Sequence, residues 1–186
     1  MGPSGSGKST ILQLIGGLDK PTKGEVVVAG RALQNLGDAG LSDYRNHYIG
    51  FIFQSFNLQS FYSAIENVAL PLILGGTKPK EAKIQAAAAL EQVGMGDMQQ
   101  RMPAQLSGGE MQRIAIARAL VHKPKVILAD EPTANLDKEN TELVLKLMIE
   151  LELAGQALVV VTHDDRVAAR FERTISLDHG VIKEDK

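Results

Sequence analysis

The sequence predicts an α/β fold, a mainly parallel sheet flanked by helices with a helical subdomain added to it. Three observations carry that prediction. A glycine-rich loop at residues 2–10 leads straight into a helical stretch. Two runs, Val126-Ile127-Leu128-Ala129 and Leu158-Val159-Val160-Val161, are apolar throughout, as expected of strands covered on both faces. Helical segments alternate with these runs, which is the pattern of an α/β domain. At 186 residues the chain fits one domain with a real core.

Taken in order, the first helix runs from Ser9 to about Gly16. Gly24 to Gly30 is a β-branched run bounded by glycines and Tyr48 to Phe53 is another, so both read as strands. Pro79 to Val93 is rich in Ala, Lys, Glu and Gln, has Pro in its first turn and stops at Gly94, all helix signals. Ser107 and Glu110 have capping-box spacing and open a helix from about Glu110 to Val121. Its apolar stripe is Met111, Ile114, Ala117 and Val121, and Gln112, Arg113 and Arg118 are its polar positions. Further helices are predicted from Lys138 to Leu153 and from His163 to Phe171. Arg173 to Leu177 and Val181 to Lys183 flank Asp178-His179-Gly180 as a hairpin. No repeat, low-complexity tract or linker interrupts the chain.

Composition narrows the function classes. Twenty Lys plus Arg stand against 22 Asp plus Glu, a formal charge of −2, so no basic footprint for nucleic acid is present and none is expected as a partner. With no Cys, disulfides, thiolate catalysis and Cys-based zinc drop out. The apolar runs fall short of the roughly 20 residues that span a bilayer.

Gly2-Pro3-Ser4-Gly5-Ser6-Gly7-Lys8-Ser9-Thr10 completes the pattern G-x-x-x-x-G-K-[ST]. Small residues let successive backbone N–H groups curl around phosphates, and the following helix adds its positive N-terminal end. Lys8 then reaches the β/γ-phosphates and Ser9 ligates magnesium, while the strand that should feed such a loop is not in the sequence. Asp130-Glu131 ends an apolar strand, which beside a phosphate loop makes Asp130 the metal-side carboxylate and Glu131 the candidate base. Two acids at a strand end need no function on their own, but Pro132-Thr133-Ala134-Asn135-Leu136-Asp137 directly after them favours one. Ser107-Gly108-Gly109 is by itself an ordinary helix cap, and its glycines also let an anion approach the backbone. His163, taken alone, is a helix-start residue, since Thr162 and Asp165 have capping-box spacing, and Gln54 is an ordinary polar loop residue.

With these motifs in place the whole chain resembles the ATPase subunit of ATP-binding cassette (ABC) transporters, a P-loop NTPase family. The phosphate loop, Gln54, Leu106 to Glu110, Asp130-Glu131, Asn135-Leu136-Asp137 and His163 match the family's motifs in order. Phe51 to Leu58, Glu66-Asn67-Val68 and Pro132 to Asp137 look most like its lipoprotein-release and macrolide-export group. Met111 stands where the family has Gln.

The resemblance implies ATP and Mg2+ as cofactors, and two cassettes, here a homodimer, sandwiching two ATP molecules. Gly2, Ser4, Gly5, Ser6, Gly7, Lys8, Ser9 and Thr10 would bind nucleotide, Ser9, Gln54 and Asp130 would serve the metal, and Glu131, His163 and Gln54 would be catalytic. Ser107, Gly108 and Gly109 of the partner subunit would close over the γ-phosphate. An integral membrane permease is the implied second partner, placing the protein in the cytoplasm, peripheral on the inner face of the membrane. The helical subdomain is expected at about 58–121 within a single domain spanning 1–186.

All aromatics but Phe171 lie between Tyr44 and Tyr62, and some of Phe56, Phe61 and Tyr62 are expected to line a groove for a permease helix, with Phe51 and Phe53 in the core. The resemblance also implies strands and an adenine-stacking aromatic before the loop, neither present here, so weak nucleotide binding or no independent fold is expected. Two alternatives follow: a truncated, non-catalytic fragment, and a DNA-repair or chromosome-type ATPase, whose long coiled-coil insertion between Gln54 and Leu106 is not found.

Overall fold

The computed structural model describes residues 1–3 and 5–186; Ser4, one of the loop residues named above, lies outside the described residues. Three parallel strands, β3 (Ile49–Ile52), β4 (Val126–Asp130) and β5 (Ala157–Val161), form the central sheet in that order, with Asp130 level with Val161. Two small antiparallel pairs accompany it: β1 (Val27–Val28) with β2 (Arg31–Ala32), and β6 (Ile175–Asp178) with β7 (Val181–Asp185).

Side chains alternate across a strand, and that alternation divides the core in two. Leu128 enters one cluster with Leu12, Leu33, Leu41, Tyr44 and Ile49, beneath α1 (Lys8–Ile15) and α2 (Asp38–Tyr48). Ile127 and Ala129 enter the other, with Ile52, Ile114, Val144 and Met148. That second cluster lies under α3 (Ala64–Leu74), α4 (Pro79–Gln92), α5 (Gly108–Leu120) and α6 (Lys138–Leu153). Ile127, Leu128 and Ala129 are all fully buried, as the apolar run requires.

The α1 helix is closed by Gly16 and Gly17 and clasped from α2. Tyr44 donates to the Ile15 carbonyl at 2.7 Å and Arg45 to that of Gly17 at 2.8 Å. Burial pushes the Tyr44 phenol up to about 12, so it remains a donor. In the helical unit, Ala82, Ala86 and Ala89 are buried at helical spacing, which lets α4 lie close on α3. Asn67, fully buried, pins the preceding loop by accepting from the Gln59 N–H and donating to the carbonyls of Gln59, Tyr62 and Ser63.

The structure departs from the sequence-based expectations at four places. Gly24 to Gly30 is not one strand: Ala29 and Gly30 both take positive φ (49 and 77) and turn the chain into a two-residue hairpin loop. The helix expected over 163–171 shrinks to α7 (Asp165–Ala168). The side chains of Thr162 and Asp164 accept the N–H groups of Asp164 and Arg166, so the cap falls at Asp164 and no Thr162–Asp165 capping box forms. Helices α2 and α3 were not predicted; the first has a mixed face, and the second carries Pro71 within it. Gln112, assigned to the polar face of α5, is fully buried and donates to the Pro132 carbonyl at 2.6 Å.

Candidate functional site

The loop at residues 2–10 is shaped by backbone that only glycine adopts freely. Gly5 and Gly7 have φ of 78 and 95, and Gly7 occupies the cap position of α1. The loop is fastened from the far end of the chain. Leu177 N–H donates to the Met1 carbonyl and Gly180 N–H to that of Ser6. Lys8 is buried, its ammonium folded onto the carbonyls of Gly2 (2.7 Å) and Pro3 (2.8 Å). Thr10 is exposed on the first turn of α1.

The acids sit at the C-terminal ends of the parallel strands, where α/β sheets place their chemistry. Ser9 Oγ lies 3.2 Å from Asp130 Oδ2. Glu131 continues the ladder by donating its N–H to the Val161 carbonyl, then leaves the strand with φ 45. Because Asp130 is level with Val161, Glu131 falls beside Thr162 and His163. Thr162 Oγ1 donates to Glu131 Oε2 at 3.2 Å, and His163 Nδ1–H donates to Oε1 at 2.7 Å from a largely exposed ring. A left-handed non-glycine residue gripped on both carboxylate oxygens is held in one orientation by design of its neighbours rather than by its own preference.

The other candidates form a second group. Ser107 caps α5 in a reciprocal box with Glu110, whose pKa is held down chiefly by the bond from the Ser107 N–H. Gly108 packs near Asn135, Leu136 and Phe56, and a Cβ on Gly109 would overlap the Asn140 side chain. Gln54 is exposed; its carbonyl accepts from Asn135 Nδ2 at 3.0 Å, and no hydrogen bond joins its side chain to Ser9, Asp130 or Glu131. Thus Lys8, Ser9, Asp130, Glu131 and His163 converge, whereas Ser107 to Gly109 and Gln54 occupy a neighbouring surface. Thr162 and Asn135 were missed as individual site residues. Strand register, which no motif spells out, is what brings Thr162 to Glu131.

A nucleotide with magnesium fits these residues. Ser6 Oγ is buried in the loop without a hydrogen-bond partner, Lys8 offers its donors to the loop's own carbonyls, and Ser9 with Asp130 makes the oxygen pair that a hard cation takes. Among the described residues no three His, Cys, Asp or Glu side chains form a metal cluster.

One further concavity stands out, a cavity of about 710 Å³ between α2, β3, α3 and α5. Phe51, Phe53, Leu70, Leu74, Arg118 and His122 are among its lining residues, and Phe56, Phe61 and Tyr62 are not. The two Phe rings stack with centroids 5.3 Å apart. His122 Nε2–H donates to the Ile49 carbonyl, leaving a buried Nδ1 with no partner.

Fold and site together define the class: a nucleoside triphosphatase on a parallel sheet, with its phosphate loop, acids and histidine at one end. A family model described as ABC transporter matches residues 1–134. The lipoprotein-releasing system ATP-binding protein LolD of Shewanella sp. (strain MR-4) is 48% identical over 184 residues, 98% of this chain and 80% of that protein. LolD of Legionella pneumophila (strain Paris) is 49% identical over 183 residues, 98% of this chain and 81% of the relative. Among solved structures, the post-hydrolysis dimer of the ATP-binding cassette MJ0796 bound to ADP and Pi superposes with a TM-score of 0.90 at 45% identity, covering 100% of this chain and 82% of the other.

The chain belongs to the ABC transporter family and is an ATP-hydrolysing subunit of that family, working with ATP and magnesium. Neither the fragment reading nor the DNA-repair reading is favoured by these relatives.

Proposed function

We propose that this cassette powers a lipoprotein-release type of transporter. In this reading it acts as a homodimer at the cytoplasmic face of a membrane permease. The observation that supports it most is the convergence of Ser9 with Asp130 (3.2 Å) and of His163 with Glu131 (2.7 Å) at one end of the sheet. The 48% identity to LolD supports the finer assignment.

The loop's N–H groups and the Lys8 ammonium bind the phosphates, the ammonium trading the carbonyls of Gly2 and Pro3 for phosphate oxygens. Ser9 and Asp130 would hold magnesium, whose charge would help neutralise the phosphates. Glu131, fixed by Thr162 and His163, orients and deprotonates the attacking water. His163, the partner of Glu131 through Nδ1, contacts the γ-phosphate, and Gln54 swings in from its exposed segment. Ser107, Gly108 and Gly109 of one protomer cover the γ-phosphate bound by its partner, so fixed donors meet charge that develops in the transition state. The helical unit at about 58–121 carries that surface. The cavity beside it, with its apolar walls and unpartnered His122 Nδ1, suits a permease helix bringing a hydrogen-bond donor.

The test is size-exclusion chromatography of Glu131→Gln with and without ATP and magnesium, beside turnover of the parent protein. An ATP-dependent dimer together with lost turnover is expected. A monomer in both conditions, or turnover that survives the substitution, would overturn the assignment.

A further inference from the structure

Arg118 sits near the C-terminal end of α5, the helix that Ser107 to Gly109 begin. Its guanidinium donates to the carbonyls of Phe56, at 2.7 Å, and Asn57. Both acceptors are non-glycine residues in left-handed backbone, φ 59 and 52. Each such residue is disfavoured by roughly 1–2 kcal/mol, and two in succession persist only when something over-determines them. The guanidinium in turn is largely withdrawn from water, its pKa lowered by that burial, and among the described residues it has no carboxylate partner. A cation held so, with two carbonyls as its given acceptors, is justified by the geometry it imposes. The same segment is tied at its other end, where Asn135 Nδ2 holds the Gln54 carbonyl.

We infer that Arg118 is a positioning residue for Gln54, making the signature surface and the Gln54 segment of one protomer move as a single piece. The inference rests on the roles proposed above for Gln54 and for Ser107 to Gly109. Helix α5 has 13 residues and spans about 20 Å. Its N-terminal end seats on the nucleotide bound by the partner, and its C-terminal part sets the backbone that carries Gln54 to the chain's own nucleotide. Occupancy of one site is thereby read at the other, through a rigid element with a contact at each end. Lys cannot replace Arg here, because a single ammonium does not span two carbonyls with the fork of a guanidinium.

Steady-state ATP turnover against ATP concentration tests this on the full chain. The parent should give a Hill coefficient approaching 2, the number of sites in the dimer. Arg118→Lys should bring it close to 1 and lower kcat about tenfold, the effect of one lost charged hydrogen bond, with the ATP concentration for half-maximal rate within about twofold. Adding Asn57→Gly to Arg118→Lys should recover part of kcat, since glycine accepts the left-handed conformation without strain. Parental kcat and Hill coefficient in Arg118→Lys would overturn the inference. So would a loss that Asn57→Gly leaves untouched while melting temperature and active fraction fall in proportion, the mark of a merely structural role. Gln54→Ala separates the layers. If it lowers turnover while Arg118→Lys does not, the inference alone fails; if it has no effect, the role of Gln54 fails and takes the inference with it.

Discussion

Replacing Thr162 with Val removes one oxygen at a point where two functions meet. The hydroxyl donates to Glu131 Oε2 at 3.2 Å and accepts the Asp164 N–H at 3.1 Å, in a residue only 3% exposed. A hydrogen bond to a charged group contributes about 1.5–3 kcal/mol and a neutral one about 0.5–1.5 kcal/mol, so the expected cost is about 2–4.5 kcal/mol. Water has little access to take over either bond. For a chain of this length each kcal/mol moves the melting temperature by about 2–4 °C, which puts the loss at roughly 4 to 18 °C. Thr162→Ser, which keeps the hydroxyl, should recover most of it. Glu131 would then be held on one oxygen only, by His163, and turnover should fall about tenfold as the base loses alignment. A stability cycle with Glu131→Gln isolates the pair: charged bonds are about twice as strong as neutral ones, so a coupling near 1 kcal/mol is expected. A Thr162→Val protein that melts within about 1 °C of the parent with unchanged turnover, or a cycle that is simply additive, would refute the reasoning.

Gly109→Ala should displace Asn140, whose side chain lies where the new Cβ would go, costing about 1–3 kcal/mol and abolishing the ATP-dependent dimer in the Glu131→Gln background; a dimer of normal affinity by analytical ultracentrifugation would contradict this. Leu74→Glu, at a cavity-lining residue 78% exposed, should leave basal turnover and melting temperature unchanged while weakening permease-stimulated turnover at least tenfold, and equal stimulation of both proteins would remove the cavity from consideration. Glu66 and Glu110 have folded-state pKa values below their ordinary 4.5, chiefly through bonds from the Ser63 and Ser107 N–H groups. The stability they add is therefore present above about pH 4.5 and lost as pH falls through the lowered values. Urea midpoints from pH 7 to pH 3 should drop less steeply in the Glu66→Gln, Glu110→Gln double variant, and parallel curves would count against it.

What could be read from the sequence was whatever local chemistry writes down. Helix α6 begins and ends where its cap and periodicity predict, at Lys138 and Leu153, because Asp137 accepts from Asn140 N–H and the apolar stripe is long. The capping box of α5 was visible for the same reason. Helix α2 escaped notice because what holds it is tertiary: Tyr44 and Arg45 reach the carbonyls of Ile15 and Gly17, 29 and 28 positions away. Gln112 looked like surface on α5 because its partner, the Pro132 carbonyl, belongs to another segment. Among site residues, Ser9, Asp130, Glu131 and His163 stand in motifs whose spacing shows them. Thr162, Asn135 and Arg118 act through strand register or through carbonyls of distant segments, and a carbonyl leaves no trace in the one-letter code.

The fastening of the phosphate loop by the β6–β7 hairpin has a consequence in time as well as in space. Met1 and Leu177, joined carbonyl to N–H, are 176 positions apart in the chain, so the phosphate loop waits for the hairpin. At about 5–20 residues per second a ribosome needs roughly 10 to 35 s to cover that distance. During that interval the loop is without the partners of its Met1 and Ser6 carbonyls, and the emerging chain should be blind to ATP. Nascent chains stalled before Ile175 should wash through an ATP resin, and chains released beyond Asp185 should stay on it; retention of both would show that the loop closes without its clasp.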